Sequence, residues 1–299
     1  MDIYQQTLEL CKQYNIKPAR SKGQNFLIKE EVYNNIIEAA DLKKDNIVLE
    51  IGPGLGFLTT KLADKAKQVI TIELDDKLAK YLKFSLEIQK IKNVEIINEN
   101  ILDIEIEKLK VKNFEYKIVA NLPYNITSIF LRKFLSLKNK PNTMVLMLQK
   151  EVAERILAKP GKMSLLAVSV QYYAEPEIID YVPANAFWPE PQVDSAIVKL
   201  KVKSPSNSAG RQKSPACQAS LRTGRKVKQV GVDKERDFFR LIKFGFSSKR
   251  KMLKNNLSVG YKITQELAEN KLKQVGFDPK IRAQELSVEG WVKLFGEFN

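Results

Sequence analysis

The run Ile47-Val-Leu-Glu-Ile51 leads without interruption into Gly52-Pro-Gly-Leu-Gly56, and helical spacing follows from Phe57 to Lys65. A buried strand, a glycine turn and a helix in immediate succession constrain the chain strongly, because they open a parallel strand–helix–strand unit. The pattern then repeats. Val69-Ile-Thr-Ile-Glu73 reads as a second strand, followed by a helix through Leu78, Tyr81 and Leu82. Val94–Ile97, Tyr116–Ala120 and Thr143–Leu148 are further strand candidates separated by helical stretches. Strands alternating with helices predict an α/β fold, a Rossmann-like parallel sheet covered on both faces. A last pair, Glu177–Val182 and Ser195–Leu200, is expected to close the sheet as a hairpin-like edge.

The character changes at Ser204. From there to Val232 the chain holds Ser, Pro, Gly, Gln and six Lys or Arg without one acid. So little apolar material reads as a disordered basic insert. Beyond it Phe238, Ile242 and Phe246 recur every fourth residue, and helices are expected near 264–274 and 285–297. The predicted division is therefore 1–203, an insert at 204–232, and a small α-helical C-terminal domain at 233–299.

Composition narrows the chemistry. With 44% hydrophobic and 28% charged residues there is ample material for a core. Histidine is absent, which removes serine–histidine and cysteine–histidine catalysis and most zinc or iron sites, so no metal is expected. The net charge of +15 suits a polyanionic partner, since Lys and Arg release condensed counterions from phosphates. No stretch reaches the roughly 18 apolar residues of a membrane span. The two cysteines, Cys11 and Cys217, lie far apart, and Asp2 and Glu9 oppose a transit peptide. A cytoplasmic protein with no membrane attachment is the expectation.

Three motifs carry the functional reading. The glycine loop is not a dinucleotide fingerprint, because its sixth position is Phe57, and no phosphate-gripping G-x4-G-K-[ST] run exists. Glu73 ends the next strand, where an acid can accept hydrogen bonds from both ribose hydroxyls. Glycine loop and acid together fit an adenosine-containing ligand, and the missing lysine favours S-adenosylmethionine over ATP. After the fourth strand comes Asn121-Leu-Pro-Tyr124, which resembles the [DNS]-P-P-[YF] motif of amino-methyltransferases. An exocyclic adenine amine is a poor nucleophile because its lone pair is delocalised into the ring. If the Asn121 side-chain oxygen and the Pro123 carbonyl each accept one N–H, the nitrogen pyramidalises, and Tyr124 can stack on the base.

These motifs, with Lys22-Gly-Gln-Asn-Phe-Leu27, Leu148-Gln-Lys-Glu-Val-Ala-Glu-Arg155, Phe187-Trp-Pro-Glu-Pro-Gln-Val-Asp-Ser195 and Phe246–Leu257, occur in the order of the KsgA/Dim/Erm family of rRNA adenine N6-dimethyltransferases. The chain resembles its KsgA branch over nearly everything except 204–232. The resemblance implies a class I methyltransferase sheet acting with S-adenosylmethionine on two adjacent adenosines of 16S rRNA in the immature 30S subunit, as a monomer. An Erm-type enzyme acting on 23S rRNA and a non-catalytic nucleic-acid-binding relative are the alternatives. It further implies that Asn25 and Leu27 cover the methionine end of the cofactor, with Gly52 and Gly54 against it and Glu73 on the ribose. Asn100 would stand where the family usually has an acid for the adenine amine, and Asn121 would border cofactor and target alike. Phe187 would form the second wall of the target-base pocket. Arg250, Lys251 and Lys254, on what resembles the family's basic C-terminal helix, would bind RNA.

Overall fold

The computed structural model describes residues 1–18, 23–109, 111–203 and 230–298. The expected insert therefore lies outside the described residues, apart from its last three positions, and so does Lys22. In chain order the strands are β1 (Phe26–Leu27), β2 (Ile47–Ile51), β3 (Gln68–Ile72), β4 (Val94–Ile97), β5 (Tyr116–Asn121), β6 (Thr143–Gln149), β7 (Ala174–Val182), β8 (Phe187–Trp188) and β9 (Ser195–Val202). The helices are α1 (Ile3–Gln13), α2 (Glu30–Ala40), α3 (Phe57–Lys65), α4 (Asp76–Ile88), α5 (Thr127–Ser136), α6 (Lys150–Ile156), α7 (Leu165–Tyr173), α8 (Val230–Gly245), α9 (Leu253–Tyr261), α10 (Gln265–Gln274) and α11 (Val288–Phe298). None of the described helices is long and apolar enough to cross a membrane.

Seven strands form one sheet in the order β4-β3-β2-β5-β6-β9-β7. The strands from β4 through β6 run parallel, and β9 pairs antiparallel with both β6 and β7. The α/β class and the antiparallel edge match the sequence expectation. The central strands are buried on both faces, with Val48, Leu49, Ile118 and Val119 fully enclosed, as the continuous apolar runs require. From β2 the chain builds outward to β3 and β4, then returns to place β5 on the other side of β2. Ligands bind at such a reversal, beyond the carboxyl ends of the strands.

A second, two-stranded sheet pairs β1 with β8, setting Leu27 opposite Phe187 and Phe26 opposite Trp188. Tyr33 of α2 ties it down by donating its hydroxyl to the Leu27 carbonyl at 2.8 Å.

The described residues fall into two compact units, those of Met1–Glu154 with Tyr173–Ser204 and those of Arg155–Tyr172 with Pro205–Asn299. The expected boundary thus changes at one segment. Met163, Ala167 and Val168 share a core with Phe238, Leu241, Leu257 and Trp291, and the Gly161 and Met163 N–H groups both donate to the Gln284 carbonyl. The helical pattern also begins earlier than expected, at Val230 rather than after 232.

One acid lies inside the sheet. Glu50 of β2 is 1% exposed and accepts a 2.8 Å hydrogen bond from the Thr59 hydroxyl of α3. Burial pushes its carboxyl from an ordinary 4.5 up to about 7, and the Thr59 bond only partly opposes this. Between those values the folded state holds a proton that the unfolded chain has lost, so stability falls as pH rises through the window. Glu50→Gln should flatten the fall in melting temperature between pH 5 and pH 8, and stabilise the protein at pH 8 by on the order of 2–3 kcal/mol. A variant with the wild-type pH profile would show that Glu50 is ionised in the fold.

Candidate functional site

An open cleft of about 950 Å³, its mouth included, lies at the carboxyl ends of β2, β3 and β5. Residues 23–27, the glycine loop, Glu73 with Leu74, Asn121 to Tyr124, and Phe187 all line it. Segments far apart in the chain meet there because each follows a strand that ends at the same edge, or belongs to the small β1–β8 sheet.

Glu73 is the first residue beyond β3 and is 6% exposed. One carboxylate oxygen accepts from the Asp75 N–H at 2.8 Å and the other from the Gly54 N–H at 3.3 Å. Its own carbonyl accepts from the Asn98 amide at 2.9 Å, and its N–H donates to the Ile97 carbonyl at 3.0 Å. Burial pushes this carboxyl above the usual carboxylate range, while the Asp75 and Gly54 amides favour the charged form. Each oxygen keeps a lone pair for a donor arriving from the cleft. A vicinal diol is such a donor pair.

The glycine loop meets the same carboxylate. Gly54 adopts φ +56°, and a Cβ there would stand 3.3 Å from the Phe26 ring. A side chain would therefore be strained and would press on the wall that residues 23–27 form. Gly52 donates its N–H to the Ile72 carbonyl at 2.9 Å, which fastens the loop to β3, and lies beside the Asn121 carbonyl at the end of β5.

The Asn121 side chain makes no hydrogen bond among the described residues and borders the cleft with both its donor and acceptor free. The Pro123 carbonyl accepts from the Ile126 N–H at 3.2 Å and retains a second lone pair. Tyr124 presents its ring to the cleft while its hydroxyl lies 2.7 Å from the Ser195 hydroxyl. Phe187 is 3% exposed and reaches the cleft from β8. Asn25 and Leu27 line the cleft as well.

Asn100 is placed differently from the expectation. It does not line the cleft, and its side-chain oxygen accepts from the Leu102 N–H at 3.0 Å while its amide donates to Asp103 at 2.9 Å. An asparagine after a strand readily closes such a turn on its own backbone. Lys133 of α5 holds that turn, donating to the Leu102 and Ile104 carbonyls at 2.6 and 2.7 Å. Conversely, Leu74 lines the cleft although 55% exposed, a wall the sequence reading missed. An apolar residue directly after a strand-end acid was the available signal.

In the C-terminal unit, Arg250 and Lys251 are exposed, but they sit in the turn between α8 and α9 rather than on a helix. The buried Asn256 amide fixes that turn by donating to the Gly245 and Ser248 carbonyls at 2.6 and 2.9 Å. Lys254 lies on α9 and pairs with Glu269 at 2.6 Å, with Lys273 on the same carboxylate at 2.8 Å. The Lys254 and Lys273 bonds hold Glu269 down to about 2. Lys254 is therefore committed within the fold, and only the turn offers uncommitted charge among the three expected RNA contacts.

The model of the ribosomal RNA adenine dimethylase family matches residues 16–212. The chain is 42% identical over 293 residues to ribosomal RNA small subunit methyltransferase A of Dehalococcoides mccartyi, covering 98% of this chain and 92% of that one. It is 37% identical over 290 residues to the protein of the same name from Clostridium botulinum, covering 96% of each. Among solved structures it is similar to a dimethyladenosine transferase from Plasmodium falciparum, with a TM-score of 0.70 and 27% identity over 91% of this chain and 96% of that one. The 23S rRNA methyltransferase ErmE follows at a TM-score of 0.65 and 26% identity, over 91% and 99%.

Arg250→Ala and Lys251→Ala should each reduce the salt slope of RNA binding by about 0.7–0.9, one phosphate contact apiece. Lys254→Ala should leave that slope within about 0.3, since its ammonium is held against Glu269 within the fold rather than extended to a phosphate. Filter binding across a potassium chloride series measures both, and an equal loss at Lys254 would place it on the RNA.

Proposed function

The chain belongs to the ribosomal RNA adenine dimethylase family, and from this premise we propose that it dimethylates N6 of two adjacent adenosines in the 3′-terminal hairpin of small-subunit rRNA. S-adenosylmethionine is the methyl donor, the substrate is the rRNA within the immature 30S subunit, and the protein acts as a monomer. One observation carries the reading. The buried Glu73 carboxylate and the Asn121–Tyr124 loop open into one cleft, so a cofactor site and a target-amine site adjoin.

The cleft suits S-adenosylmethionine in its chemistry. Glu73 offers charged acceptors for two ribose hydroxyls, and the side-chain-free Gly52 and Gly54 let the backbone come close. When bound, the cofactor supplies a methyl group on a sulfonium that departs as a neutral thioether. The chain's own task is to make the adenine nitrogen nucleophilic. Asn121 Oδ1 and the free lone pair of the Pro123 carbonyl accept the two N6 hydrogens, drawing the nitrogen out of conjugation and aiming its lone pair at the methyl carbon. Tyr124 and Phe187 hold the ring between aromatic walls and stabilise the positive charge that gathers on it. The proton released afterwards passes to solvent. Before the second methylation one of the two acceptors must give way, because only one N6 hydrogen remains.

A large-subunit target is the second reading, favoured by the likeness to ErmE. Support for the small subunit is stronger, since the relatives bearing that name align over nearly the whole chain.

Mass-spectrometric mapping after parallel incubation of the donor with unmethylated 30S and 50S subunits should find N6,N6-dimethyladenosine at two neighbouring positions near the 3′ end of the small-subunit rRNA. Methylation confined to large-subunit rRNA would transfer the assignment to the second reading. Asn121→Ala should slow single-turnover methylation by about 10²–10³, the cost of one positioned transition-state contact, with cofactor affinity nearly unchanged. A rate within about threefold of wild type would remove Asn121 from the chemistry.

A further inference from the structure

The motif running from Phe187 to Ser195 contributes only Phe187 to the function proposed above, yet its last two residues bond Tyr124 and the turn that leads into Phe187. Ser195 is fully buried and is the first residue of β9. Its hydroxyl lies 2.7 Å from the hydroxyl of Tyr124, whose ring faces the cleft. Asp194 uses one carboxylate oxygen to accept from the Ala184 N–H at 3.1 Å. Ala184 begins the short helical turn Ala184–Ala186, which delivers the chain directly into Phe187.

The backbone of both residues is tied into the sheet. Ser195 pairs with Gln149 on one side and Val182 on the other, because β9 lies between β6 and β7. The Asp194 carbonyl also accepts from the Lys150 N–H at 3.0 Å. A strand bonded along both edges is a fixed reference, and a hydroxyl on it holds whatever it bonds. A phenol ring anchored only at its Cβ can rock about its side-chain torsions. Bonding its far end removes that freedom, and a wall for a flipped-out base must be rigid to be of use.

We infer that Asp194 and Ser195 are positioning residues for the target adenine, Ser195 by fastening the Tyr124 hydroxyl and Asp194 by fixing the turn that presents Phe187. This rests on the reading of Tyr124 and Phe187 as the walls of the base site. The competing explanation is that Ser195 and Tyr124 satisfy each other's polar groups without consequence for the reaction.

A mutant cycle separates the two. Single-turnover methylation of unmethylated 30S subunits at saturating S-adenosylmethionine is measured for wild type, Ser195→Ala, Tyr124→Phe and the double variant. Each single change should slow the reaction about five- to tenfold, and the double should be no slower than Tyr124→Phe by more than about twofold. Cofactor affinity by calorimetry should not change. Asp194→Ala should slow the reaction comparably, and Asp194→Asn, whose amide oxygen still accepts from Ala184, should recover most of the loss. Ser195→Ala acting as strongly in the Tyr124→Phe background as in wild type would overturn the proposal. So would a wild-type rate for Tyr124→Phe, which removes the same bond while keeping the ring and serves even if Ser195→Ala does not fold. Tyr124→Ala guards the premise, because an undiminished rate there would mean that the base does not stack on Tyr124 at all.

Discussion

Two backbone N–H groups, those of Gly54 and Asp75, converge on the Glu73 carboxylate, and the cleft is organised around that convergence. Removing a carboxylate from water is costly unless hydrogen bonds compensate it. Here the donors come from the loop after β2 and from the turn that opens α4, so satisfying the acid also fixes both segments. The glycine loop lies beside the end of β5 at Gly52, and the Asn98 amide binds the Glu73 carbonyl from the turn after β4. Glu73 thus joins the loops that follow β2, β3 and β4, the first two through its carboxylate and the last through its carbonyl. It is also the group best suited to an incoming diol.

The cleft's other half is organised by packing and pairing rather than by charge. β1 and β8 are two residues long and have no stability of their own, since an isolated strand pair is marginal in water. They persist because Tyr33 bonds the Leu27 carbonyl and because Phe26 and Trp188 stack with ring centroids 6.5 Å apart. That small sheet brings Asn25 and Leu27, early in the chain, beside Phe187. The residues expected to enclose the cofactor and those expected to enclose the base therefore share one support.

Much of this was legible in the sequence, for identifiable reasons. Strands buried on both faces are continuous apolar runs, so β2, β3, β5 and β6 were visible, and the glycine loop, Glu73 and Asn121-Leu-Pro-Tyr124 could be placed at their ends. Other features leave no local trace. The β1–β8 pair is too short for any periodicity, and the Ser195–Tyr124 bond joins positions 71 residues apart. The assignment of 155–172 to the C-terminal unit depends on which core receives Met163 and Val168. Two expected site residues carry partners within the fold that no local pattern announces. Lys254 resembles a free basic contact until Glu269, 15 residues on, is folded against it. The Asn100 side chain closes its own turn by accepting from the Leu102 N–H, a bond the motif did not announce.

The claim on which the account turns is that Glu73 holds the ribose of S-adenosylmethionine. Calorimetry with analogues lacking the 2′- or the 3′-hydroxyl, on wild type and on Glu73→Ala, tests it most directly. Each missing hydroxyl should weaken binding to wild type by about tenfold or more, the value of a charge-assisted hydrogen bond, and should make no difference to Glu73→Ala. Equal losses in the two proteins, or none in wild type, would contradict it and leave Glu73 a clamp for the loops alone.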